Sequence, residues 1–465
     1  MSTDAFTDEF THSHGGGCFF VAVDPAFDDQ IAEAATLVAR SRPEADRQQF
    51  IAHLSSLAKD ALPPSPQPNG DAEHDDVEPK KVQDTPETRE RKRQVVAELV
   101  ASLDNVRLEA QSDREFEGFA NLVLSLVLGL YDAEEEQYAQ LVRQLASALT
   151  FTESSSGLRA NVNQSLAARY TSLATVFNSL PASATSLRLA LFRSLVAFTA
   201  KNDDTSVVLP ALKDSFVSWL LDEWKVESDL ADEAVLEIVE TLVSKGFTNE
   251  ALALLRSYLA KTKSTSDSTA RLAAKLVTLS LSANDVYDFA SLVPSTYPSL
   301  SASSFPSSLS SLLKTFQSPS SSSSLPSDLG SSDLDRDALE TKLRLIKLAH
   351  VCADRVGQSV SYDEIAKAVG VEAGAAGDEG EEVETFVIDA IRASLLQGRL
   401  SQPTQTLYIT RVSPTSSSFT AEQWKTVQAR LEDWKGAVER IRGSVEKGLS
   451  GTAGRKEVSV GGTEE

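Results

Sequence analysis

Apolar residues recur at steps of three and four through most of this chain, the spacing of amphipathic helices. Strand-like alternation of useful length is absent until close to the C-terminus. The first helical pattern runs from Asp28 to Leu62, where PPSPQPNGDAEHDDVEP stops it with prolines and acids. Residues 1–27 therefore read as a disordered tail, 28–62 as a helical segment and 63–86 as an acidic, proline-rich linker. From 87 to 298 helix follows helix, each of ~12–20 residues. Tyr131-Asp132, Ser154-Ser155-Ser156-Gly157, Leu180-Pro181 and Lys201-Asn202-Asp203-Asp204 punctuate the run.

The segment ADEAVLEIVETLVSKGFTNEALALLRSYLAKT displays the unit. Leu236, Val239, Leu242 and Val243 form an apolar stripe, Lys245-Gly246-Phe247 turns the chain, and Thr248-Asn249-Glu250 starts a second helix bearing Ala251, Leu254, Leu255, Tyr258 and Leu259. Such hairpins cannot bury their apolar faces alone, so they are expected to stack as in tetratricopeptide-like solenoids. No strict sequence period accompanies this structural repeat.

Residues 299–333 are serine-rich with prolines and are expected to form a low-complexity insertion, mobile or weakly helical. The period then changes. Helices at Leu334–Ala353, Tyr362–Val369 and Glu382–Gln397 are followed by two short strands, the order of a winged helix over 334–412. Ser361-Tyr362-Asp363-Glu364 has capping-box spacing. Val383, Phe386, Val387, Ala390, Ile391 and Leu395 line one face of the third helix, and Gly398 can cap its end. Leu400 pairs with Leu407 and Ile409 across a turn at Pro403-Thr404, leaving Thr406, Tyr408 and Thr410 outward.

The last ordered element, 420–447, opens with Thr420-Ala421-Glu422-Gln423, a second capping-box spacing. Trp424, Val427, Leu431, Trp434, Val438, Ile441 and Val445 then alternate steps of three and four, the a/d seam of a heptad helix. Residues 448–465 read as a disordered tail. The predicted fold class is mostly α: a helical-hairpin array, a winged-helix module with a small β-hairpin, and a long C-terminal helix.

Composition narrows the function. Lys plus Arg number 44 against 67 Asp plus Glu, a net charge of -23 with a pI near 4.7, which repels phosphate backbones and anionic membranes. The acids Glu381, Glu382 and Glu384 at the start of the third helix oppose base reading there, leaving Arg392, Arg399 and Arg411 for weak backbone contacts. No membrane span or secretory leader is read, and Cys18 and Cys352 do not make a disulfide framework, so a cytoplasmic location is expected. His12-x-His14 invites comparison with the metal motif of MPN-type isopeptidases, but the Ser and Asp that motif needs are replaced by Ala22 and Pro25. Phosphate-binding and nucleophile-elbow motifs are absent, and neither catalysis, cofactor nor metal is expected. Ser65-Pro66, Thr85-Pro86 and Ser318-Pro319 are candidate phosphorylation dipeptides in segments read as mobile.

LRLIKLAHVC, VSYDEIAKAVGV, EVETFVIDAIRASLLQGRLSQPTQTLYITRV and EQWKTVQARLEDWKGAVERI together resemble the PCI-domain family, and within it the subunit M branch found in eukaryotic translation initiation factor 3. The stretch from FNSLPASATSLRLALFRSLVAF through LDEWKVES to the hairpin above looks like the helical half of the same family, its PCI part proper placed from about 205. The resemblance covers about Leu99 to Arg442, with the serine-rich stretch and Glu372–Glu381 departing from it as insertions. It implies a non-catalytic scaffold that supports assembly of the small-subunit preinitiation complex and recruitment of mRNA and initiator tRNA. The implied partners are other PCI and MPN subunits of that factor and, through them, the small ribosomal subunit. Winged helices of such proteins associate side by side, so Thr406, Leu407, Tyr408, Ile409 and Thr410 become a candidate strand edge for β-augmentation. The heptad residues Trp424 to Val445 become a candidate seam for partner helices. PCI subunits of the COP9 signalosome or proteasome lid are the nearest alternative, and an mRNA-export type nucleic-acid adaptor is the alternative of a different class.

Overall fold

The computed structural model describes residues 26–62, 85–151 other than 105, 107 and 109–111, 166–318, 324–326, 329, 334–370 other than 354, 379–413 and 421–453. Expectations for the N-terminal tail, the body of the first linker, Ser154–Gly157 and residues 454–465 lie outside the described residues. The chain divides into two compact units, Met1–Leu279 with Tyr297–Phe305, and Ser280–Thr296 with Pro306–Glu465.

The first unit is a run of helices: α1 Phe27–Arg40, α2 Glu44–Asp60, α3 Pro86–Ala101, α4 Asp113–Leu130, α5 Glu136–Thr150, α6 Leu166–Ser179, α7 Thr185–Lys201, α8 Leu209–Asp214, α9 Ser228–Ser244, α10 Thr248–Lys261 and the greater part of α11 Asp267–Ser282. The pattern read as one segment over 28–62 is a hairpin of two helices, broken at Arg42-Pro43. Thr85 caps α3 rather than lying in a linker. Its Oγ1 accepts the Thr88 amide at 3.3 Å with Pro86 in the first turn, an N-cap that orders the dipeptide read as mobile. From α3 to α5 each helix packs on both the next helix and the one after it, so apolar faces are covered from two sides.

The α9–α10 hairpin turns at Gly246, whose φ of 84° places it in the left-handed region that a glycine adopts without steric cost. Gly246 N–H donates to Val243 O and Phe247 N–H to Leu242 O, closing α9 with a Schellman cap. The predicted stripe of α10 is buried as read. That of α9 is rotated by one position onto Ala231, Ala234, Val235, Ile238, Val239 and Leu242, leaving Leu236 and Val243 half-buried.

Two polar devices fix this unit. Buried or half-buried guanidiniums close the ends of helices, where carbonyls have no intrahelical donor. Arg93 Nε donates to Leu130 O at 2.8 Å, Arg169 Nη1 to Leu149 O at 2.6 Å, and Arg188 to the carbonyls of Leu180 and Pro181. The second device is Asp232, buried in α9, which accepts the Tyr258 hydroxyl at 2.7 Å and the Ser268 hydroxyl at 2.6 Å and so ties α9 to α10 and α11. Burial, then the bond to Asp232, raises the Tyr258 phenol well above its ordinary range. Asp232→Ala leaves that buried hydroxyl without its acceptor and is expected to cost about 2–3 kcal/mol, Asp232→Asn about half as much because an acceptor remains. Thermal melting followed by circular dichroism reads the difference; equal losses would show that cavity, not hydrogen bonding, sets the cost.

Between α8 and α9 a π-helical turn spans Trp219–Glu223, and the Trp224 amide donates to Trp219 O at 2.7 Å. This widened turn brings Trp219 and Trp224 onto one side, with rings stacked 5.9 Å apart in a cluster with Phe177, Phe192 and Phe216.

In the second unit, α12 Ser307–Gln317 lies inside the stretch read as low complexity. Leu309, Leu312, Leu313 and Phe316 recur at i, i+3, i+4 and i+7 and are buried, while serines occupy the other face. Phe316 packs on Phe289 with ring centroids 5.1 Å apart, and the Gln317 amide donates to Phe289 O and Leu292 O. The winged helix follows: α13 Arg336–Ala353, β1 Ser359–Ser361, α14 Tyr362–Val369, α15 Glu379–Arg392, β2 Leu396–Ser401 and β3 Thr406–Val412. Its core gathers Leu348, Ala349, Cys352, Val360, Ile365, Val383, Val387, Ala390, Leu407 and Ile409, and burial lifts the Cys352 thiol to about 11.

Lys342 of α13 is buried and donates from Nζ to three carbonyls, Ser280 at 2.8 Å, Leu281 at 3.1 Å and Ala283 at 2.6 Å, where α11 ends. The rings of Tyr287 and Phe289 lie 5.5 and 5.1 Å from it. Desolvation pulls this ammonium down to about 7, with Asp285 opposing.

Candidate partner-binding surfaces

The sheet of the winged helix has the order β1-β3-β2, all antiparallel. Leu400 pairs with Leu407 as predicted, whereas Ile409 faces Gly398 rather than Leu400. Leu407 and Ile409 are buried, and Tyr408 and Thr410 point outward with Thr406 half-buried. The reading of Thr406–Thr410 as an exposed edge is corrected: β3 is the central strand. Ser359, Val360 and Ser361 pair with Tyr408, Leu407 and Thr406 on its other side, and Ile409 exchanges bonds with Gly357 and Gln358. Its ladder groups are already paired, so a neighbour's strand can add only at β1 or β2.

Two end-of-helix expectations are corrected as well. Ser361 makes no capping-box bond, because Glu364 turns to an ion pair with Arg355. Helix α15 ends at Arg392, five residues before the predicted Gln397, in a Schellman cap with Ser394 at φ 58°. Gly398 is instead a strand residue at the bulge in β2. A Cβ there would stand 2.5 Å from Tyr408 O and 3.0 Å from Leu407 Cδ1, so the two backbones approach more closely than any side chain permits. Gly398→Ala is expected to cost about 2–3 kcal/mol by forcing β2 from β3. A wild-type melting temperature for this variant would show that the bulge yields freely.

Glu384 at the start of α15 accepts the Tyr362 hydroxyl at 3.1 Å and the Gln402 amide at 2.7 Å, so it braces the turn between β2 and β3. Arg392, Arg399 and Arg411 are exposed, and Arg399 lies beside Tyr408 in the register.

The C-terminal helix α16 spans Ala421–Ala453. Along it Trp424, Leu431, Trp434, Val438, Ile441 and Val445 are between 44% and 68% exposed, with Val427 half-buried. These seven residues share one helix, and the described residues leave most of them open to solvent. Arg430 ties the near end of the helix to the winged helix, donating from Nη2 to Val356 O at 3.0 Å. Gly436 and Gly443 sit on the face opposite the seam, where each weakens helix propensity by about 1 kcal/mol relative to alanine.

Among the described residues no cluster of three His, Cys, Asp or Glu side chains could hold a metal ion, and no helix is long and apolar enough to cross a membrane. His12 and His14 lie outside those residues. The profile of the PCI domain matches residues 315–411, which takes in part of α12 and ends one residue before β3 does. The chain is 30% identical over 279 residues to eukaryotic translation initiation factor 3 subunit M of Yarrowia lipolytica, covering 58% of this chain and 66% of that protein. It is 30% identical over 292 residues to the protein of the same name from Aspergillus terreus, covering 59% and 60%. A shorter match reaches 43% over 109 residues with that of Phaeosphaeria nodorum. The matched part thus spans a little under two thirds of the longer-matching relatives.

Proposed function

We propose, for a chain that is a PCI-domain protein similar to subunit M of eukaryotic translation initiation factor 3, a non-catalytic scaffold role within that complex. The similarity to subunit M extends well beyond the 97 matched positions of residues 315–411, to 279 residues, and this carries the reading. The winged helix docks sideways on another PCI subunit through its outer strands β1 or β2, not through Thr406–Thr410. Helix α16 offers Trp424, Val427, Leu431, Trp434, Val438, Ile441 and Val445 to helices of neighbouring subunits. Through the complex the chain supports assembly on the small ribosomal subunit and recruitment of mRNA and initiator tRNA in the cytoplasm.

Mass spectrometry of proteins copurifying with the tagged full chain tests this. Initiation factor 3 subunits with small-subunit ribosomal proteins are expected. Cullins or proteasome subunits in their place would move the chain to the signalosome or the proteasome lid. Salt-dependent RNA binding by the purified chain, without those partners, would favour an export-type adaptor.

A further inference from the structure

The seam of α16 has flanks of one sign. With Trp424 as the first a position and Val427 as the first d, the e and g positions from 428 to 444 are Gln428, Arg430, Lys435, Ala437, Arg442 and Ser444. Every charged residue among them is basic. The acids of the same stretch, Glu432, Asp433 and Glu439, fall on b and c, farther from the seam, and Glu446 does likewise one turn on. This segregation occurs in a chain with 67 acids against 44 bases. Arg442 also bonds Glu446 at 2.9 Å, but both side chains are exposed, so a partner acid competes for it in water.

We infer that the seam selects one kind of occupant, an amphipathic helix of a different chain whose e and g positions carry Asp or Glu. The inference rests on the proposed use of α16 as a docking helix and adds the chemistry of its partner. A second copy of this chain is disfavoured in either orientation. Parallel pairing sets Arg430 against Lys435 of the other copy, and antiparallel pairing sets basic e rows and g rows against themselves. An anionic membrane is disfavoured because the polar face away from the seam is mixed, Glu432, Asp433, Glu439 and Glu446 against Lys425, Arg440 and Lys447, where surface-bound helices carry mostly Lys and Arg.

The test uses the full chain and two labelled heptad peptides of about four repeats with the same Leu/Ile core, one bearing Glu and the other Lys at every e and g position. Each repels itself and is monomeric alone. Fluorescence anisotropy is expected to give at least about tenfold tighter binding of the Glu peptide, with the gap closing as salt rises. Lys435→Glu with Arg442→Glu should reverse the order; Arg430 is kept because it holds Val356 O. Equal binding of both peptides, each abolished by Leu431→Asp, would overturn the charge selection while the docking reading stands. Failure of both peptides to bind, in a chain whose Leu431→Asp variant still joins its complex, would overturn both. Seam-dependent dimers in sedimentation, or partition onto phosphatidylserine vesicles lost with the double substitution, would overturn the inference in favour of those occupants.

Discussion

Between pH 7 and 10.5 the chain is expected to gain several kcal/mol of unfolding free energy relative to its Lys342→Met variant. The cause is the buried ammonium of α13, whose folded pKa of about 7 lies below the 10.5 of an exposed lysine. In that window the unfolded chain holds a proton that the folded chain does not, so stability rises with pH, by at most about 1.4 kcal/mol per unit. Below pH 7 both states are charged and the cost of burying the cation is fully present. Three acceptors temper it, because Ser280, Leu281 and Ala283 each need a donor and only the ammonium supplies three. With the folded value at about 7, Asp285 included, the full span is at most ~5 kcal/mol. Methionine keeps the apolar stem and orphans the carbonyls at every pH, so the comparison isolates the titration. In a Cys18→Ser background, the urea dependence of Cys352 alkylation reports opening of the second unit, since that thiol is fully buried. A gap between the two chains that does not change with pH would mean that the carbonyls and the faces of Tyr287 and Phe289 offset burial completely.

Lys342 also marks where sequence reading stops. Its acceptors are backbone carbonyls, which every residue has, so neither spacing nor residue type announces them. The same holds for Arg93, Arg169 and Arg188, which look like solvated helix charges and instead close the C-termini of neighbouring helices. The α9–α10 turn was legible because Gly246 occupies a left-handed position that few residues tolerate. The stripe of α9 was less so: apolar residues at 234, 235, 236, 238, 239, 242 and 243 fit two overlapping faces, and packing of α9 against α7 and α10 selects one. In α12 the serines mask a regular i, i+3, i+4, i+7 pattern, because their composition points to disorder while the apolar period points to a helix.

The candidate surfaces divide in the same way. Strand β1 has three residues, too few to show alternation, and its partner β3 lies more than forty positions on. Without it the wing reads as a two-stranded hairpin with β3 at its edge. Sequence points to Gly398 as a helix cap because a glycine near a helix end has that meaning most often, whereas here it admits the Tyr408 carbonyl at a bulge. The heptad seam needed no distant information. Its period lies within one helix, and the structure adds only that most of the stripe is exposed.

That exposure separates two outcomes for Leu431→Asp. A charge placed in a buried core unfolds a domain, but Leu431 is 59% exposed and Val438 44% exposed, so either substitution should leave the melting temperature of the purified chain nearly unchanged. Within an assembled bundle the same carboxylate would be desolvated without a partner, at a cost of several kcal/mol. Loss of complex incorporation by about 100-fold or more is therefore expected from a fully folded chain, read by quantitative copurification beside circular dichroism. The double variant Leu431→Asp, Val438→Asp should do no further harm to folding. If the single variant melts early, the seam packs within its own chain; if it melts normally and still enters the complex at the wild-type level, α16 is not the docking helix. The adjacent acids Glu432 and Asp433 sharpen the test, since Leu431→Asn in the same position removes the apolar contact without adding to their charge. An Asn variant that retains much of the incorporation the Asp variant loses would locate the effect in burial of charge rather than in loss of one leucine.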